Sequence, residues 1–282
     1  MGQRRFWGFF MPKGVGRPLA RLCPLFSGSS GNSYYIGSSS GGLLVDAGRS
    51  ARQLTAMLQR LEVDPLAVQA ILVTHEHVDH VRGLRVFASK YGIPVYATAG
   101  TIGALQEQGI ANGSFACFSH EMQPFQCAGF EVTPFPTSHD CAQGCGYRIH
   151  YPDGRTLAVA TDLGYLSEDV KRAVAGCDFV VLESNHDVQM LRYGAYPYPL
   201  KKRILSDLGH LSNDACADFL PELAKSGTTR FMLAHLSREN NRPELAYHRA
   251  EQSLAQAGMR RNVDYLLSVA PVENLDGRMV LF

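Results

Sequence analysis

Charge imbalance, paired cysteines and long apolar runs are all missing from this sequence of 282 residues. Lys and Arg number 27 against 26 Asp and Glu, so the net charge is only +1 and any anionic partner must meet a local patch. The seven cysteines are odd in number and scattered, with Cys141 and Cys145 as the nearest pair. This favours reduced thiols in the cytoplasm over a disulfide framework. No run approaches the roughly 20 apolar residues of a membrane span, so we expect no membrane partner.

The first twenty residues lack the features of a secretion signal. Their apolar patch, Phe6 to Met11, is short, and no clean small-residue cleavage site follows it. We expect residues 1–21 to form a disordered extension, with a membrane-surface role as the less favoured alternative. Linkers, internal repeats and low-complexity segments are also missing after residue 22, which predicts one folded domain over residues 22–282.

Short apolar strands alternate with helices along this domain. Strands are predicted at 22–26, 34–36, 43–45, 70–74, 94–97, 130–135, 146–150, 156–160, 179–182, 231–234 and 265–269. Helices are predicted after Ser50, from about 81 to 91, through 108, from 213 to 225 and from 243 to 257. The run from Ala70 to Thr74 is apolar almost throughout, as expected for a strand buried on both faces. The simplest architecture is an α/β domain with two sheets covered by helices.

Ligand-type side chains recur at or just beyond the C-terminal ends of these predicted strands. They are Asp46, His75, His77, Asp79, His80, His139, Asp162 and His235. Imidazole nitrogen and carboxylate oxygen suit zinc, manganese or iron, and the sequence does not distinguish among these metals. In an extended loop, His75 and His77 point the same way and can chelate one ion. Asp79 and His80 can then turn toward a second. A lone histidine at a strand end is usually structural, but four ligand types within six positions argue against coincidence.

In order along the chain, these residues resemble the five motifs of the metallo-β-lactamase superfamily. The resemblance covers residues 22–282 and implies a four-layer αββα sandwich, in which helices cover two mixed β-sheets. It also implies two divalent ions at one edge of the sheets. One ion would be held by His75, His77 and His139, the other by Asp79, His80 and His235, with Asp162 bridging them. Asp46 would orient the metal-binding loop.

Two such ions about 3.5–4 Å apart can share a water molecule, lower its pKa and present a bridging hydroxide as the nucleophile. They can also polarise the substrate oxygen and stabilise the charge that develops on it. This chemistry serves phosphodiesters, thioesters, lactams and lactones alike. The metal motifs therefore predict a hydrolase without specifying its substrate.

Three further segments bear on the substrate. The polar segment Ser27 to Ser33 is either a plain hairpin turn or a site loop in which Ser30 and Asn32 contact an anion. His210 lies in a Gly-His-Leu-Ser-Asn segment that resembles the Gly-His-Ser-Thr segment of tRNA 3′-end processing nucleases. That resemblance makes His210 a candidate phosphate clamp or general acid. Asp79 and His186 are further catalytic candidates. Ser237 and Asn240, after the last histidine, are candidates for substrate contact.

Six motifs together are similar to the YycJ/WalJ type of small metallo-β-lactamase-fold proteins. They are SGSSGNS, THEHVDH, TSHD, SNHD, GHLSN and AHLSRENN. The similarity implies a phosphodiesterase acting on nucleic acid, DNA rather than RNA, with 5′→3′ exonuclease activity and a proposed mismatch-repair role. A basic cluster, Arg192, Lys201, Lys202 and Arg203, either attracts the nucleic-acid backbone or is a solvated helix face.

The sequence lacks the long flexible arm of the tRNA-processing relatives, and the interval from Asp162 to His235 is too short for the extra domain of β-CASP nucleases. Extended nucleic-acid binding must therefore come from the core surface or from oligomerisation, such as a homodimer. Two other functions stay open. One is hydrolysis of a small ester, thioester or lactone on the same metals, and the other is a non-catalytic regulatory module stabilised by metal.

Overall fold

The computed structural model describes residues 20–38 and 41–282. The predicted extension over residues 1–21 lies outside these ranges except for Ala20 and Arg21. Ala20 is buried, and Arg21 begins the first strand. Among the described residues, no helix combines the length and the apolar character that crossing a membrane requires.

Fourteen strands and nine α-helices are found in the described residues. The strands are β1 Arg21–Phe26, β2 Ser33–Ser38, β3 Gly41–Val45, β4 Val68–Leu72, β5 Val95–Ala97, β6 Cys117–Ser119, β7 Phe125–Cys127, β8 Phe130–Pro136, β9 Cys145–His150, β10 Thr156–Ala160, β11 Phe179–Glu183, β12 Arg230–Ala234, β13 Leu266–Val269 and β14 Val280–Leu281. The helices are α1 Ala51–Arg60, α2 Val78–Val81, α3 Leu84–Tyr91, α4 Ala99–Glu107, α5 Glu168–Val174, α6 Val188–Tyr193, α7 Tyr198–Ile204, α8 Asn213–Lys225 and α9 Pro243–Gln256.

The strands form two mixed seven-stranded sheets. The first has the order β14-β1-β2-β3-β4-β5-β6, and the second has the order β13-β12-β11-β10-β9-β8-β7. In the first sheet, pairing is antiparallel from β14 to β3 and parallel from β3 to β6. In the second, pairing is antiparallel from β7 to β10 and parallel from β10 to β13. Both sheets therefore change direction near the middle, at β3 and at β10.

Three apolar clusters show how the layers stack. Strand side chains alternate between the faces of a sheet, and β3 follows this rule. Leu43 and Val45 lie in the cluster between the two sheets, whereas Leu44 lies in the cluster under the helices. The outer cluster of the first sheet includes Leu54 of α1 and Phe87 of α3, and that of the second sheet includes residues of α5, α8 and α9. The predicted αββα sandwich of two mixed sheets is confirmed.

One local prediction was wrong around residue 80. The helix predicted from about residue 81 is divided into α2 and α3, which are separated by Arg82 and Gly83. Asp79 and His80 lie on the single turn α2, because the His80 amide donates to the carbonyl of His77 at 2.8 Å. Gly83 packs against the neighbouring loop, where an added Cβ would come within 2.0 Å of the Arg49 carbonyl oxygen. The short helices α5, α6 and α7 were not predicted, since six or seven residues show too little periodicity.

Candidate metal centre

The site is built from residues that follow strands of both sheets. Asp46 follows β3, Asp162 follows β10 and His235 follows β12. All three have left-handed backbone conformations, with φ of 64°, 59° and 55°. Such conformations cost about 1–3 kcal/mol each and persist only where surrounding structure enforces them, which is typical of functional sites. Here they turn each side chain away from the strand direction and into the gap between the sheet edges.

The seven predicted metal ligands account for three of the four groups of possible donors in the described residues, and in each group the donor atoms are within 4.8 Å of one another. The first group consists of His75, His77 and His139, and the second consists of Asp79, His80 and His235. In the third, Asp162 lies with His75 and His80, one member of each of the first two groups. The fourth group joins Asp162 and His235 with Glu183 and His210. The structure therefore groups these side chains as the family resemblance implied, while their role as ligands stays a prediction.

Hydrogen bonds fix the orientation of the histidine rings. His139 Nδ1 donates to the carbonyl oxygen of Gly209 at 2.9 Å, and His80 Nδ1 donates to Asp46 Oδ2 at 2.8 Å. His235 Nδ1 donates to Glu183 Oε1 at 2.8 Å. A neutral imidazole has one donor and one acceptor nitrogen, so in their neutral forms His139 and His235 each keep an Nε2 lone pair that faces the site. The Nε2 of His80 lies 3.1 Å from Asn32 Nδ2.

His77 has the opposite orientation, since its Nε2 donates to the Asp140 carbonyl oxygen at 3.1 Å and leaves Nδ1 available. Three further atoms are buried without a hydrogen-bond partner among the described residues: His75 Nε2, His235 Nε2 and Asp162 Oδ2. An unsatisfied buried polar atom costs about 1–3 kcal/mol. Two divalent cations would satisfy these atoms together, so the donor set fits the predicted metal ions.

The electrostatics of the site agree with this fit. Burial holds the pKa of His75 well below its usual value, which keeps the ring neutral as metal binding requires. Burial also disfavours charge on His80, but the carboxylates of Asp162 and Asp46 outweigh it and raise the pKa of His80 to about 9. Burial likewise opposes charge on His235, but the carboxylates of Asp162, Asp79 and Glu183 raise the pKa of His235 well above its usual range. A concentrated, buried negative charge is thus present where metal cations are expected.

Asp46 has the contacts of a residue that orients the metal-binding loop. Its Oδ1 accepts from the Thr74 amide at 2.8 Å, and its Oδ2 accepts from the Thr74 hydroxyl at 2.9 Å. The bond from His80 Nδ1 also ends on Oδ2. One buried carboxylate therefore joins the end of β4 to the ring of His80.

The four predicted substrate contacts differ in their exposure. Asn32 is buried, and its Nδ2 lies 3.1 Å from His80 Nε2, so it belongs to the inner wall of the site. Ser30 is partly exposed and accepts a hydrogen bond from Arg49 Nη2 at 3.1 Å. Ser237 is also partly exposed, whereas Asn240 is 1% exposed and does not present its side chain to solvent. Ser30 and Ser237 are the more exposed of the four, and contact of each with substrate stays a prediction.

His210 and His186 occupy different environments. The His210 ring lies with its centre 4.9 Å from that of His139 and 5.2 Å from that of His235. Its Nδ1 donates to Glu183 Oε1 at 2.9 Å, which leaves Nε2 available to a substrate. His186 is buried, and burial lowers its pKa to about 4, so the ring is neutral near pH 7. A neutral ring favours hydrogen bonding over proton donation for His186.

Glu183 is a site residue that the sequence analysis missed. Its Oε1 accepts from His210 and His235, and its Oε2 accepts from the amides of Leu163 at 2.7 Å and Leu211 at 3.0 Å. The carboxylate is fully buried, and although burial opposes ionisation, the two histidines hold its pKa far below the usual range. The sequence feature that could have identified Glu183 is its position as an acidic residue at the end of the apolar strand β11.

The predicted basic cluster lies on α6 and α7, and two of its four side chains donate hydrogen bonds within the protein. Arg203 donates to both oxygens of Asp140, whose Oδ1 lies 3.4 Å from His139 Nε2. Lys201 donates to the carbonyl oxygen of Arg192 at 2.8 Å. Arg203 is therefore held next to the metal centre, while Lys202 and Arg192 are exposed.

A second set of cations, here called the arginine group, consists of Arg49, Arg82 and Arg238. Arg49 lies over the ring of Phe26 at 5.3 Å. Burial lowers the pKa of Arg49, the nearby charge of Glu273 opposes this shift, and the charges of Arg238 and Arg82 add to it. Within the described ranges, none of the three forms an ion pair with a carboxylate. Arg82 and Arg238 follow the site residues His80 and His235 by two and three positions in the sequence.

Comparisons with known proteins agree with this geometry. Residues 42–236 match the family described as "Beta-lactamase superfamily domain". The chain is 42% identical over 237 residues to the exodeoxyribonuclease YycJ of Bacillus anthracis, which covers 83% of this chain and 89% of that protein. It is 40% identical over 244 residues to the exodeoxyribonuclease WalJ of Streptococcus pneumoniae, covering 86% and 90%. The chain belongs to the metallo-β-lactamase superfamily.

Within this superfamily the chain belongs to the family of those two relatives, as the motifs around the metal centre predicted. The metallo-β-lactamase fold protein YhfI from Bacillus subtilis has a TM-score of 0.69 at 16% identity, over 94% of this chain and all of that one. This distant likeness shows the fold alone. Metallo-β-lactamase folds typically bind two divalent metal ions, in keeping with the paired groups of histidine and carboxylate donors described above.

Proposed function

We propose that this protein is a dinuclear metal-dependent exodeoxyribonuclease. The observation that carries the proposal is the set of seven convergent donors, with buried nitrogen and oxygen atoms left unpaired, in a chain closely related to exodeoxyribonucleases over most of its length. DNA as the preferred nucleic acid, 5′→3′ polarity, a role in DNA repair, a cytoplasmic location and homodimerisation are parts of the same proposal.

The ligand assignment follows the three groups of donors. His75, His77 and His139 would hold one ion, Asp79, His80 and His235 the other, and Asp162 would contact both. When bound, the two ions would activate a water molecule and polarise the phosphoryl oxygen of the substrate. Zinc, manganese and iron all accept this donor set, which contains no thiolate.

The surrounding residues would orient the reacting groups. Asp79 is 19% exposed at its side chain, so it can hold the attacking water by a hydrogen bond as well as contact an ion. His210 faces the centre with Nε2 available. We assign to it one of two roles, donation of a proton to the leaving oxygen or contact with the scissile phosphate. Glu183 would keep the ring of His210 in position through Nδ1.

The DNA backbone would be bound by cations on two sides of the centre. Arg49 of the arginine group donates to Ser30, and the hydroxyl groups of Ser30 and Ser237 would add to the contacts with the backbone. Arg203 lies on the other side, beside His139. Because backbone contacts are local, they need no excess of positive charge over the whole protein.

The test is incubation of protein loaded with a defined metal, beside chelator-treated protein, with end-labelled single- and double-stranded DNA and RNA. Bis-p-nitrophenyl phosphate and a thioester are the comparison substrates. We expect metal-dependent release of mononucleotides from DNA. Hydrolysis of the thioester with no cleavage of DNA would favour the small-molecule hydrolase, and no hydrolysis of any substrate would favour a regulatory module.

Replacement of His210 tests its assigned role. We expect His210→Ala to retain two metal ions, measured by plasma mass spectrometry, and to lose about 10²–10⁴-fold in kcat on DNA, the usual contribution of a general acid. His248→Ala is the matched control, because this histidine lies 75% exposed on α9. Full activity in His210→Ala would remove the residue from the mechanism.

A further inference from the structure

An open cavity of about 450 Å³ lies directly beside the metal centre. Its wall includes His210, which it shares with the centre, and His186. Residues of the loop after Asp162 and of the first turns of α8 complete the wall. Apart from His210, no residue of this wall belongs to the groups of metal donors found in the described part of the chain. The cavity is therefore a separate compartment that opens toward the reacting atoms.

The walls of the cavity are mostly apolar and carry exposed hydrophobic side chains. Tyr165 is 48% exposed and Leu205 is 45% exposed. Phe219 of α8 adds a buried aromatic ring. Exposed aromatic and aliphatic groups beside a catalytic centre are typical of a ligand site, because a flat apolar ligand removes them from water.

The cavity wall contains one buried histidine, His186. It is 1% exposed, and neither ring nitrogen has a hydrogen-bond partner among the described residues. A neutral imidazole offers one donor and one acceptor, and leaving both unpaired in a buried position is costly. A ligand edge that offers a donor or an acceptor would pair with one of the two ring nitrogens.

The charges around the cavity argue against a phosphate or carboxylate ligand. Glu222 of α8 lies on its wall and would repel an anion, whereas the neighbouring Asp218 is paired with Arg249. The wall also contains Lys171, but its ammonium group is engaged with Glu168 at 2.8 Å. His186 adds no positive charge, because burial lowers its pKa to about 4. The preferred ligand is therefore neutral, planar and apolar on its faces, with hydrogen-bonding groups on its edge, as a nucleobase is.

We propose that this cavity binds the base of the terminal nucleotide that is released from DNA, with the base stacked on Tyr165 and its edge bonded to His186. The inference rests on the proposed nuclease function, in which His210 faces the leaving oxygen. Since His210 lies between the centre and the cavity, the nucleotide attached to that oxygen is the one that reaches the cavity. A compartment that holds one terminal base favours removal of nucleotides from an end over cleavage within a strand.

The experiment compares oligonucleotides in which a single abasic residue replaces either the terminal nucleotide or the fifth nucleotide. Both ends of the strand are tested. We expect the terminal abasic residue at the end that is digested to lower kcat/KM for release of the first nucleotide about tenfold, as loss of one base stack does. The abasic residue at position five is the control and should leave this first step unchanged. Equal rates for the two modified substrates would overturn the proposal.

Variants of cavity residues test whether the lower rate on the terminally abasic substrate arises from this cavity. In Tyr165→Ala and His186→Ala, the ratio of rates on the intact and terminally abasic substrates should fall from about ten to nearly one. Tyr165 lies at the rim, so its variant tests the proposal even where loss of the buried His186 impairs folding. Tyr193→Ala is the matched control, since Tyr193 is 86% exposed and does not line the cavity. It should keep the wild-type ratio, and a ratio of about ten in Tyr165→Ala would contradict the assigned stacking.

Direct binding separates this inference from the proposed function. Saturation-transfer NMR with thymidine and deoxyadenosine, added to the metal-loaded protein, should detect both nucleosides, and Tyr165→Ala should abolish the signal. If DNA is not cleaved but nucleosides bind in this way, the nuclease proposal fails and the base site stands. If DNA is cleaved and neither nucleoside binds, the base site is refuted and the nuclease proposal stands.

Discussion

At the scale of residues, single buried carboxylates organise several histidines at once. Glu183 accepts hydrogen bonds from His210 and His235 and from two backbone amides, so all of its bonds are to donors. Such a carboxylate sets both the tautomer and the orientation of each ring. It therefore couples the proposed proton donor to a proposed metal ligand.

We expect Glu183→Gln to lower kcat on DNA by about 10–100-fold and to weaken metal binding, because the amide group replaces one acceptor oxygen with a donor. Activity and metal content per chain, measured on the same preparation, check this outcome. Glu168→Gln is the control, since Glu168 is 80% exposed at its side chain and contacts only Lys171 on α5. Unchanged metal content and kcat in Glu183→Gln would show that the carboxylate does not position the centre.

At the scale of elements, the turn before β2 and the loop after β3 support the short helix α2. The Asn32 amide donates to the Asp79 carbonyl oxygen at 2.7 Å, and Ala47 donates to that of His80 at 2.8 Å. Gly48 lies so close to this turn that an added Cβ would come within 1.7 Å of the Asp79 carbonyl oxygen. The absence of a side chain at Gly48 thus allows α2 to approach the loop and carry Asp79 and His80 into the site.

Gly48→Ala should destabilise the protein by about 1–3 kcal/mol and lower its metal content, because backbone atoms must move to admit the methyl group. Chemical denaturation followed by circular dichroism measures the first effect, and mass spectrometry measures the second. The matched control is Gly103→Ala in α4, where nothing lies within 4 Å of the added Cβ. That change should be neutral or stabilising, since alanine has the higher helix propensity. Equal stability of the two variants would contradict the steric argument.

At the scale of the whole molecule, the two sheets bring distant cations to one edge. The arginine group combines residues that follow β3, α2 and β12. The three positive charges form no ion pair among the described residues, although the charge of Glu273 acts on Arg49. An anionic backbone between the arginines would relieve their mutual repulsion.

Replacement of Arg49, Arg82 or Arg238 by Ala should weaken DNA binding similarly for all sequences. Each change should also reduce the slope of log K against log salt concentration by about one. Fluorescence anisotropy with labelled DNA over a range of salt concentrations measures this slope. Arg260→Ala is the comparison, because that arginine is paired with Asp264 outside the site. A slope equal to that of the wild type in all three variants would exclude the arginine group from the DNA path.

Contact between the sheets also predicts a dependence of stability on pH. His120 follows β6 of the first sheet, lies 3.4 Å from the Tyr147 hydroxyl of the second, and accepts from the Met122 amide at Nδ1. Burial lowers its pKa to about 4, whereas the unfolded chain has the ordinary value of 6.5. The unfolded state therefore binds the proton more readily than the folded state. The contribution of neutral His120 to the free energy of unfolding is present above pH 6.5 and is lost as the pH falls toward 4.

We expect the wild type to lose stability relative to His120→Asn between pH 6.5 and 4, by at most about 1.4 kcal/mol per pH unit. Urea denaturation of both proteins at a series of pH values measures the difference, in which contributions common to both proteins cancel. A difference that does not change with pH would show that His120 is not held neutral by the fold.

Much of the metal centre could be predicted from the sequence, because ligand-type residues follow apolar strands in a short, dense motif. The strand ends carrying Asp46, His139 and His235 were predictable from local hydrophobicity and polarity, and so was the two-sheet sandwich. Glu183 carried the same strand-end signal, but nothing local distinguished it from an ordinary surface carboxylate. Its importance depends on two histidines that lie 27 and 52 positions away.

What the sequence determined by itself is the chemistry: the types of donor, their number and the strands that carry them. Only the tertiary structure decided which groups share a space. It placed Asp79 and His80 on a helical turn, assembled three arginines from separate segments, and left His186 unpaired in a cavity beside His210. The physical reason is that donor chemistry and strand patterns are properties of local sequence. Proximity, burial and hydrogen-bond satisfaction arise only when the two sheets pack and bring distant residues together.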